Sequence, residues 1–416
     1  MRFEEIPASG GERCSAGACP PLPSGGGQAP ALHYTWLGVP GPALALNHLL
    51  KIDNHALDHE NHTPTDPPLR VESPDYVRTS LAAAITLGLA PGRFYRDIRC
   101  GCINLLLHYE GGCRANCAYC GLARTRPGDE GCSSFIRVDW PTLGTAQVVE
   151  RMARYQDRVR RVCISTVQHP QAYYDLVSVA RLVLERVDRP VSALITATLM
   201  DRERLQKLKE MGVDMIGLGL DAASQRVFLR TRGRGVGGPH LWRKHWQVVE
   251  EAREVFGPWK VNCHLIVGIG ETDREMVDVL SYLKSKEVFA YFFSFYPEAG
   301  SLMERRRRPP LVRYRRLQLA KHLIETQGLQ PDQVIYDGRD RIVGMRGNPD
   351  QAERAIVDGA AFVTGGCPGR EGGLACTRPF ANSRPGEPFR NYPLQPEEDD
   401  IHDIRRQLRL KEWRRE

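Results

Sequence analysis

The chain has 416 residues, 42% of them hydrophobic, which can fill one large domain with appendages or two ordinary ones without the help of disulfides. Twelve cysteines spread over this length, three of them in a cluster motif that needs reduced thiols, argue for the cytoplasm and against a secreted disulfide scaffold. The net charge of +7 suits an acidic partner, and neither a signal peptide nor a run long enough to span a bilayer is expected from the pattern.

Residues 8 to 30 are rich in Gly, Pro and Ser and hold few apolar side chains, so they cannot offset the entropy of ordering and read as a flexible leader. Cys14 and Cys19 form a C-x4-C pair inside that leader and stay outside any predicted site. His55, His59 and His62 would share one face of a helix, as metal ligands do, but Asn61, Pro64, Pro67 and Pro68 indicate a loop with solvated histidines. Residues 1–94 are read as an N-terminal extension, with Ser80 to Leu89 helical in composition, ahead of Cys100-Gly-Cys102.

From Ile103 onward, short runs of β-forming residues alternate with segments of helical period, the mark of a parallel βαβ series. Six strands are predicted: Ile103 to His108, Arg161 to Thr166, Val191 to Thr196, Asp214 to Leu220, Lys260 to Val267 and Val288 to Phe295. Between them Val177, Ala180, Leu184 and Val187, and again Met276, Leu280 and Leu283, give helices with one apolar stripe. Such a series exposes its functional loops at the C-terminal ends of the strands. The fold class is α/β, with a barrel over residues 95–310 and a C-terminal helical and capping segment over 311–416. Arg305 to Arg308 and the arginines at 313, 315 and 316 either face an acidic partner or form a solvated helix flank.

The loop after the first strand, Gly111-Gly-Cys-Arg-Ala-Asn-Cys-Ala-Tyr-Cys-Gly121, sets Cys113, Cys117 and Cys120 in a C-x3-C-x2-C array. Thiolates are the ligands of iron-sulfur clusters, and three of them leave one iron open to a small molecule, whereas a ferredoxin fills all four positions. A zinc knuckle would need a fourth Cys or His at a short offset, and Cys132 lies twelve residues beyond Cys120.

This loop, with Tyr119 before its last cysteine, resembles the radical S-adenosylmethionine (SAM) signature. The resemblance implies a partial (β/α)6 barrel of the TIM type, a 4Fe-4S cluster, and SAM bound to the open iron and cleaved to a 5'-deoxyadenosyl radical. Ile266-Val-Gly-Ile-Gly-Glu-Thr272 resembles the I-x-G-x-x-E element by which biotin and lipoyl synthases hold the adenine, so Ile266, Gly268 and Glu271 are implied contacts. Only glycine lets backbone approach a flat ring so closely. His264 stands where that element has a glycine. Asp221, at the end of the fourth strand, falls where those enzymes place a ribose-binding or substrate-facing carboxylate; a helix N-cap is its plain alternative. The Gly-Gly-Glu that usually binds the SAM amine is replaced by Ser165-Thr-Val-Gln-His169, leaving Thr166 or Gln168 to supply those hydrogen bonds, as lipoyl and biotin synthases also depart there. Arg243 is expected near the SAM carboxylate.

Gly366-Cys-Pro-Gly-Arg-Glu-Gly-Gly-Leu-Ala-Cys376 is too rich in Gly and Pro for a helix. Cys367 and Cys376 with Cys100 and Cys102 would make four thiolates converging at the barrel mouth, whereas Cys163 and Cys263 lie inside strands and read as packing residues, the plain alternative for Cys100 and Cys102 too. The resemblance implies that such a set holds a second iron-sulfur cluster as sulfur donor, with Arg384 beside it. The Cys-rich tail, with Arg378-Pro-Phe-Ala-Asn-Ser-Arg384 after it, is most similar to the two-protein lipoyl synthase of archaea and some bacteria. That similarity implies an octanoylated lipoyl-carrier protein as substrate, a second radical SAM subunit and an electron donor such as ferredoxin or flavodoxin, with no nucleic acid and no membrane. The tail after Asn391, with Glu397 to Asp400 and a basic segment, either regulates carrier docking or is an exposed helix. The runner-up is biotin synthase-like action on dethiobiotin or another small molecule. A non-catalytic iron-sulfur carrier is a third reading, disfavoured by the adenine-type element and separable by assay for 5'-deoxyadenosine.

Overall fold

The computed structural model describes residues 70–413 except 95, 97, 99, 127–133, 136–137, 347–348 and 378–388. Cys14, Cys19, His55, His59, His62, Cys132, Arg384 and the leader over 8–30 lie outside the described residues.

One sheet of eight strands organises the chain. Its members are β1 (Tyr76–Thr79), β2 (Cys102–Leu107), β3 (Thr142–Gly144), β4 (Arg161–Ser165), β5 (Val191–Ile195), β6 (Val213–Asp221), β7 (Val261–Val267) and β8 (Phe289–Ser294), in the order β8-β7-β6-β5-β4-β2-β1-β3. The six predicted strands all form and pair in parallel in chain order, while β8 and β3 stay at opposite edges, so the barrel is partial. β1 and β3 add an antiparallel edge drawn partly from the predicted extension.

β2 and β4 are buried along their whole length and β5, β6 and β7 along most of it, as parallel strands covered by helices are. Val162, Ile164, Ile216, Leu218, Leu265 and Val267 belong to the main apolar core, while the alternate positions Cys163, Met215 and Tyr291 join a separate cluster inside the barrel. Cys263 goes with the first set and packs in the main core, as the sequence suggests; Cys163 goes with the second and turns inward, because the two cysteines sit at opposite parities of their strands. After the short α1 (Leu81–Thr86), the crossover helices α2 (Thr145–Arg154), α3 (Ala172–Arg186), α4 (Arg202–Glu210), α5 (Gln225–Thr231), α6 (Trp242–Phe256) and α7 (Asp273–Ser285) bury one stripe each. Thr272 and Glu275 close a capping box at the start of α7, fixing where β7 hands over to helix.

The C-terminal segment, α8 (Leu311–Gln327), α9 (Pro349–Val357) and α10 (Glu398–Leu408), is tied down by arginines that composition assigned to the surface. Arg315 is 0% exposed and donates to the carbonyls of Phe389 and Arg390, to Gln318 and to Gln407; Arg316 donates to the carbonyls of Ile342 and Leu408. A guanidinium carries five donors in a fork and so satisfies several carbonyls at once. Thus Arg313, Arg315 and Arg316 serve the fold, and only Arg305, Arg306 and Arg307 of the basic run are exposed. α10 is no loose tail: Ile404 and Leu408 are buried, and Asp400 takes a forked bond from Arg96 at 2.6 and 3.3 Å.

Candidate active site

The cysteine loop leaves β2 at the C-terminal end of the sheet and is held from four sides. Gly112, at φ +67°, makes the first turn, where a side chain would be strained. Arg114 N–H donates to the Gln168 carbonyl at 2.8 Å, Ala118 N–H to that of Thr231 at 2.7 Å, and Met303 N–H to that of Ala118 at 3.0 Å. The Asn116 side chain donates to the Val236 carbonyl at 2.7 Å. Two backbone N–H groups already aim at sulfur, Gln168 to Cys113 and Leu122 to Cys120, each at 3.4 Å.

The three thiols are close enough to repel one another as thiolates. Burial, opposed by Arg232, pushes Cys117 up to about 11; burial and then Cys117 and Cys113 raise Cys120 well above the ordinary thiol range. A bound cationic cluster reverses that balance by taking the sulfurs as thiolates, so a buried, mutually repelling trio with N–H donors at hand fits a 4Fe-4S cluster. Among the described residues no three His, Cys, Asp or Glu side chains could hold one metal ion. A single tetrahedral ion needs sulfurs about 3.8 Å apart, and a four-iron cube needs them wider.

Beside the loop, Tyr119 O–H donates to Asp221 at 2.5 Å, and Arg232 pairs with Asp221 and donates to Tyr119 at 3.2 Å. Asp221 ends β6 at φ +62° and does not cap α5, whose N-cap is Ser224. Burial and then Asp221 raise Tyr119 well above its usual range, so it acts as donor. Arg243 sits exposed on the solvent side of α6, a correction to the expected carboxylate partner. The guanidinium at the site is Arg232, brought there because Thr231 to His240 runs back beneath the cysteine loop. Its run of glycines, Gly233, Gly235, Gly237 and Gly238, was the available signal: a Cβ on Gly238 would lie 2.2 Å from the Arg232 carbonyl.

The Ile266 to Thr272 element adopts a tight turn in which Glu271 never faces the open site. Its carboxylate accepts from the N–H groups of Gly268 at 2.6 Å, Ile269 at 3.0 Å and Gly270 at 2.9 Å, and pairs with Arg313 at 2.9 Å. Gly268, at φ +112°, has no room for a side chain against Pro309. Ile266 joins Ala222, Phe295, Tyr119 and Met303 in an apolar shelf alongside the cysteine loop, a seat for a flat ring. Thr166 bonds to Thr196, and the Gln168 side chain accepts from Thr198, so both lie near the loop with their polar atoms partly engaged.

At the opposite end of the strands lies a second group of thiols. Arg161 and Asp214 pair through two bonds of 2.6 Å at the starts of β4 and β6, and Arg161 also donates to the Pro368 carbonyl at 2.6 Å, drawing the 367–376 turn against the N-terminal end of the barrel. Cys102, Cys163, Cys367 and Cys376 share one buried cluster there with Met215 and Tyr291, and Cys100 neighbours Cys376. Residues more than 260 positions apart thus converge, but at the floor of the barrel and not at its mouth. The mouth was expected because both pairs flank the strands in sequence; the antiparallel entry through β1 and the Arg161 anchor decide the other end. Cys163, read as packing, belongs to this group because β4 turns it inward. Above the floor a small apolar pocket of about 20 Å³ is lined by Leu194, Gly217, Asn262, His264, Tyr291 and Phe293, among others.

Residues 110–283 match the model for the radical SAM superfamily. The chain is 27% identical over 179 residues to biotin synthase of Methylibium petroleiphilum, covering 43% of this chain and 50% of that one. It is 24% identical over 208 residues to biotin synthase of Magnetococcus marinus, covering 49% and 59%. The chain therefore spans half to three-fifths of the length of these curated relatives. Among solved structures it is similar to the FeFe-hydrogenase maturase HydG from Carboxydothermus hydrogenoformans, at 17% identity and a TM-score of 0.40 over 54% of this chain and 51% of that one. The family implies a 4Fe-4S cluster and SAM, for which the cysteine trio and the Tyr119, Asp221 and Arg232 group are suited. The stretch 110–283 thus matches the radical SAM superfamily, and the distant relatives of the chain include biotin synthases.

Proposed function

We propose that this chain is a sulfur-insertion enzyme, one component of a two-protein lipoyl synthase acting on an octanoyl chain attached to a lysine of a carrier protein. The observation that carries the reading is the presence of two cysteine groups at the two ends of one set of strands: Cys113, Cys117 and Cys120 at the C-terminal end, and the thiols around Cys102, Cys367 and Cys376 at the floor, where Cys367 and Cys376 line an apolar pocket. When bound, the first cluster and SAM supply a 5'-deoxyadenosyl radical, and a second cluster supplies sulfur. Thr166, Gln168, Asp221 and Arg232 orient the amino-acid and ribose ends of SAM, and the shelf of Ile266, Ala222 and Phe295 takes the adenine. Leu194 and Phe293 line the pocket with apolar surface and Gly217 keeps one wall open, so an acyl chain that reaches it meets apolar side chains. The exposed Arg305, Arg306 and Arg307 lie next to the Gly268 turn, since Arg306 donates to the Gly268 carbonyl at 2.8 Å. They offer an acidic carrier domain a weak, salt-sensitive seat at the mouth. A second radical SAM subunit and a reductant such as ferredoxin or flavodoxin complete the system.

The similarity to biotin synthases favours a second reading, sulfur insertion into a small molecule such as dethiobiotin. Mass spectrometry of an octanoylated carrier peptide, incubated anaerobically with this protein, its partner subunit, SAM and a reductant, separates the two. Sulfur on the peptide supports lipoyl synthesis; sulfur on dethiobiotin beside an unchanged peptide hands the case to the second reading.

A further inference from the structure

Five cysteines approach the barrel floor, and a cluster with four protein ligands must leave one out. Their contacts are not equivalent. Cys102 is hydrogen-bonded through its side chain to Cys376 and also neighbours Cys163; Cys367 neighbours both Cys376 and Cys163. These four close a ring, 102 to 376 to 367 to 163 and back, around the inward face of the barrel. Cys100 touches that ring only at Cys376 and Cys102, packs instead with Ala82 and Phe94, and spends its S–H on the Cys102 carbonyl at 3.2 Å.

The surroundings of the ring are built to receive thiolate. Asn104 donates its side-chain N–H to Cys102 Sγ at 3.3 Å, and Asn262 donates to Cys367 Sγ at 3.5 Å. Each asparagine is at most 1% exposed, and each leaves its amide oxygen without a hydrogen-bond partner while its nitrogen faces sulfur, that of Asn262 donating to the Ile216 carbonyl at 3.2 Å as well. A buried amide oxygen left unsatisfied is costly, so the nitrogen's position is the one the site is organised for. Tyr291 hydrogen-bonds to Cys367, and Arg161, 1% exposed, brings a fixed positive charge beside Cys367 and Cys102. N–H and O–H donors to sulfur together with a compensating cation are what set the charge and potential of an iron-sulfur site.

The 367–376 turn is itself a clamp. Cys376 N–H and Ala375 N–H both donate to the Cys367 carbonyl, at 3.1 and 3.2 Å, so the two sulfurs leave from adjacent points at its neck. A Cβ on Gly366 would lie 2.0 Å from the Cys376 carbonyl oxygen, which is why glycine precedes the first cysteine. Cys163, Cys367 and Cys376 line the pocket, and Cys102, which does not, is joined to them through Cys376. A structural metal site is closed on all sides, whereas this one opens onto the volume a substrate would occupy.

We propose that Cys102, Cys163, Cys367 and Cys376 hold the second iron-sulfur cluster, with Asn104, Asn262, Tyr291 and Arg161 as its immediate surroundings and Cys100 outside the ligand set. This rests on the sulfur-insertion reading only in taking the metal to be iron with sulfide. The test uses the full chain with Cys113, Cys117 and Cys120 changed to alanine, purified and reconstituted anaerobically, so that remaining iron reports the floor site alone. Iron, zinc and acid-labile sulfide are counted, and electron paramagnetic resonance is recorded after reduction. In this background Cys163→Ser should lower bound iron and sulfide at least tenfold, and Cys100→Ser should leave both within a factor of two. Cys163→Ser placed in the chain with its three loop cysteines intact should keep the iron of that loop, which shows that the variant folds. Retention of floor iron in Cys163→Ser, its loss in Cys100→Ser, or stoichiometric zinc in place of iron would each overturn the assignment. Iron bound as described while no sulfur reaches either the octanoyl peptide or dethiobiotin would sink the functional reading and leave the ligand set standing.

Discussion

Glu271 offers the sharpest test of how the turn from Ile266 to Thr272 is held. Its side chain is 0% exposed and accepts three successive backbone N–H groups as well as Arg313. Glu271→Ala strips the acceptor from all three amides and leaves Arg313 with only Asp273 as its acidic partner. Removing one partner of a buried charged group costs about 3–5 kcal/mol, so ~4 kcal/mol is the expected loss. At about 1.4 kcal/mol per factor of ten, the local opening of the turn becomes roughly a thousandfold more frequent. Glu271→Gln keeps the shape and one acceptor oxygen, and about half the loss, a factor of roughly thirty, is expected. Hydrogen exchange followed by mass spectrometry on a peptide spanning 264–276 reads this directly. If the chain unfolds as one unit, the same ~4 kcal/mol lowers Tm by only about 5 °C, because the unfolding entropy of so long a chain is large. Wild-type exchange at Gly268 to Gly270 in the alanine variant would show that Pro309 and the strand hold the turn without the carboxylate, and the reasoning would fail.

Arg232→Lys keeps a charge but loses the fork that meets Asp221 and Tyr119 together, so SAM should bind about 10–100-fold more weakly by equilibrium titration; unchanged affinity would place the SAM carboxylate elsewhere. Gly217→Val builds branches where even a Cβ would lie 2.9 Å from Asn262 and 3.0 Å from Leu194, so sulfur transfer to the acyl chain should fall at least tenfold. Equal turnover would remove this cavity as the substrate's seat. Burial, with Arg232 adding to it, lowers His245 to about 3, below its unfolded value near 6.5. The stabilisation is therefore present above pH 6.5 and lost as pH falls towards 3, by about 2 kcal/mol at pH 5. Denaturant midpoints at pH 8, 6.5 and 5 should show this loss in the wild-type chain and a flatter profile in His245→Gln; parallel profiles would rule it out.

Local patterning in the chain was enough to locate the six parallel strands, because short apolar runs alternate with longer stretches of helical period, and run length separates the two. The cysteine trio was equally legible, since one short loop supplies all three sulfurs and the spacing is itself the geometry. Glu271 and Asp221 could be singled out, yet not their tasks: the carboxylate of one turns back onto three amides, and the other is held by an arginine eleven residues on. Arg232 rather than Arg243, the internal work of Arg315 and Arg316, and the place of the second thiol group all depend on where distant segments pack. Cys163 shows the limit most plainly. Side-chain direction in a strand alternates with every residue, so whether a cysteine faces the helices or the barrel interior is set by the strand's parity. The turn that meets it there begins some two hundred residues further along the chain, and it reaches the floor because the Pro368 carbonyl docks on Arg161. The sequence alone determined which elements form and where three sulfurs meet; only the tertiary structure decided which end of the barrel the other sulfurs close, because that choice rests on contacts between segments with no local signal for one another.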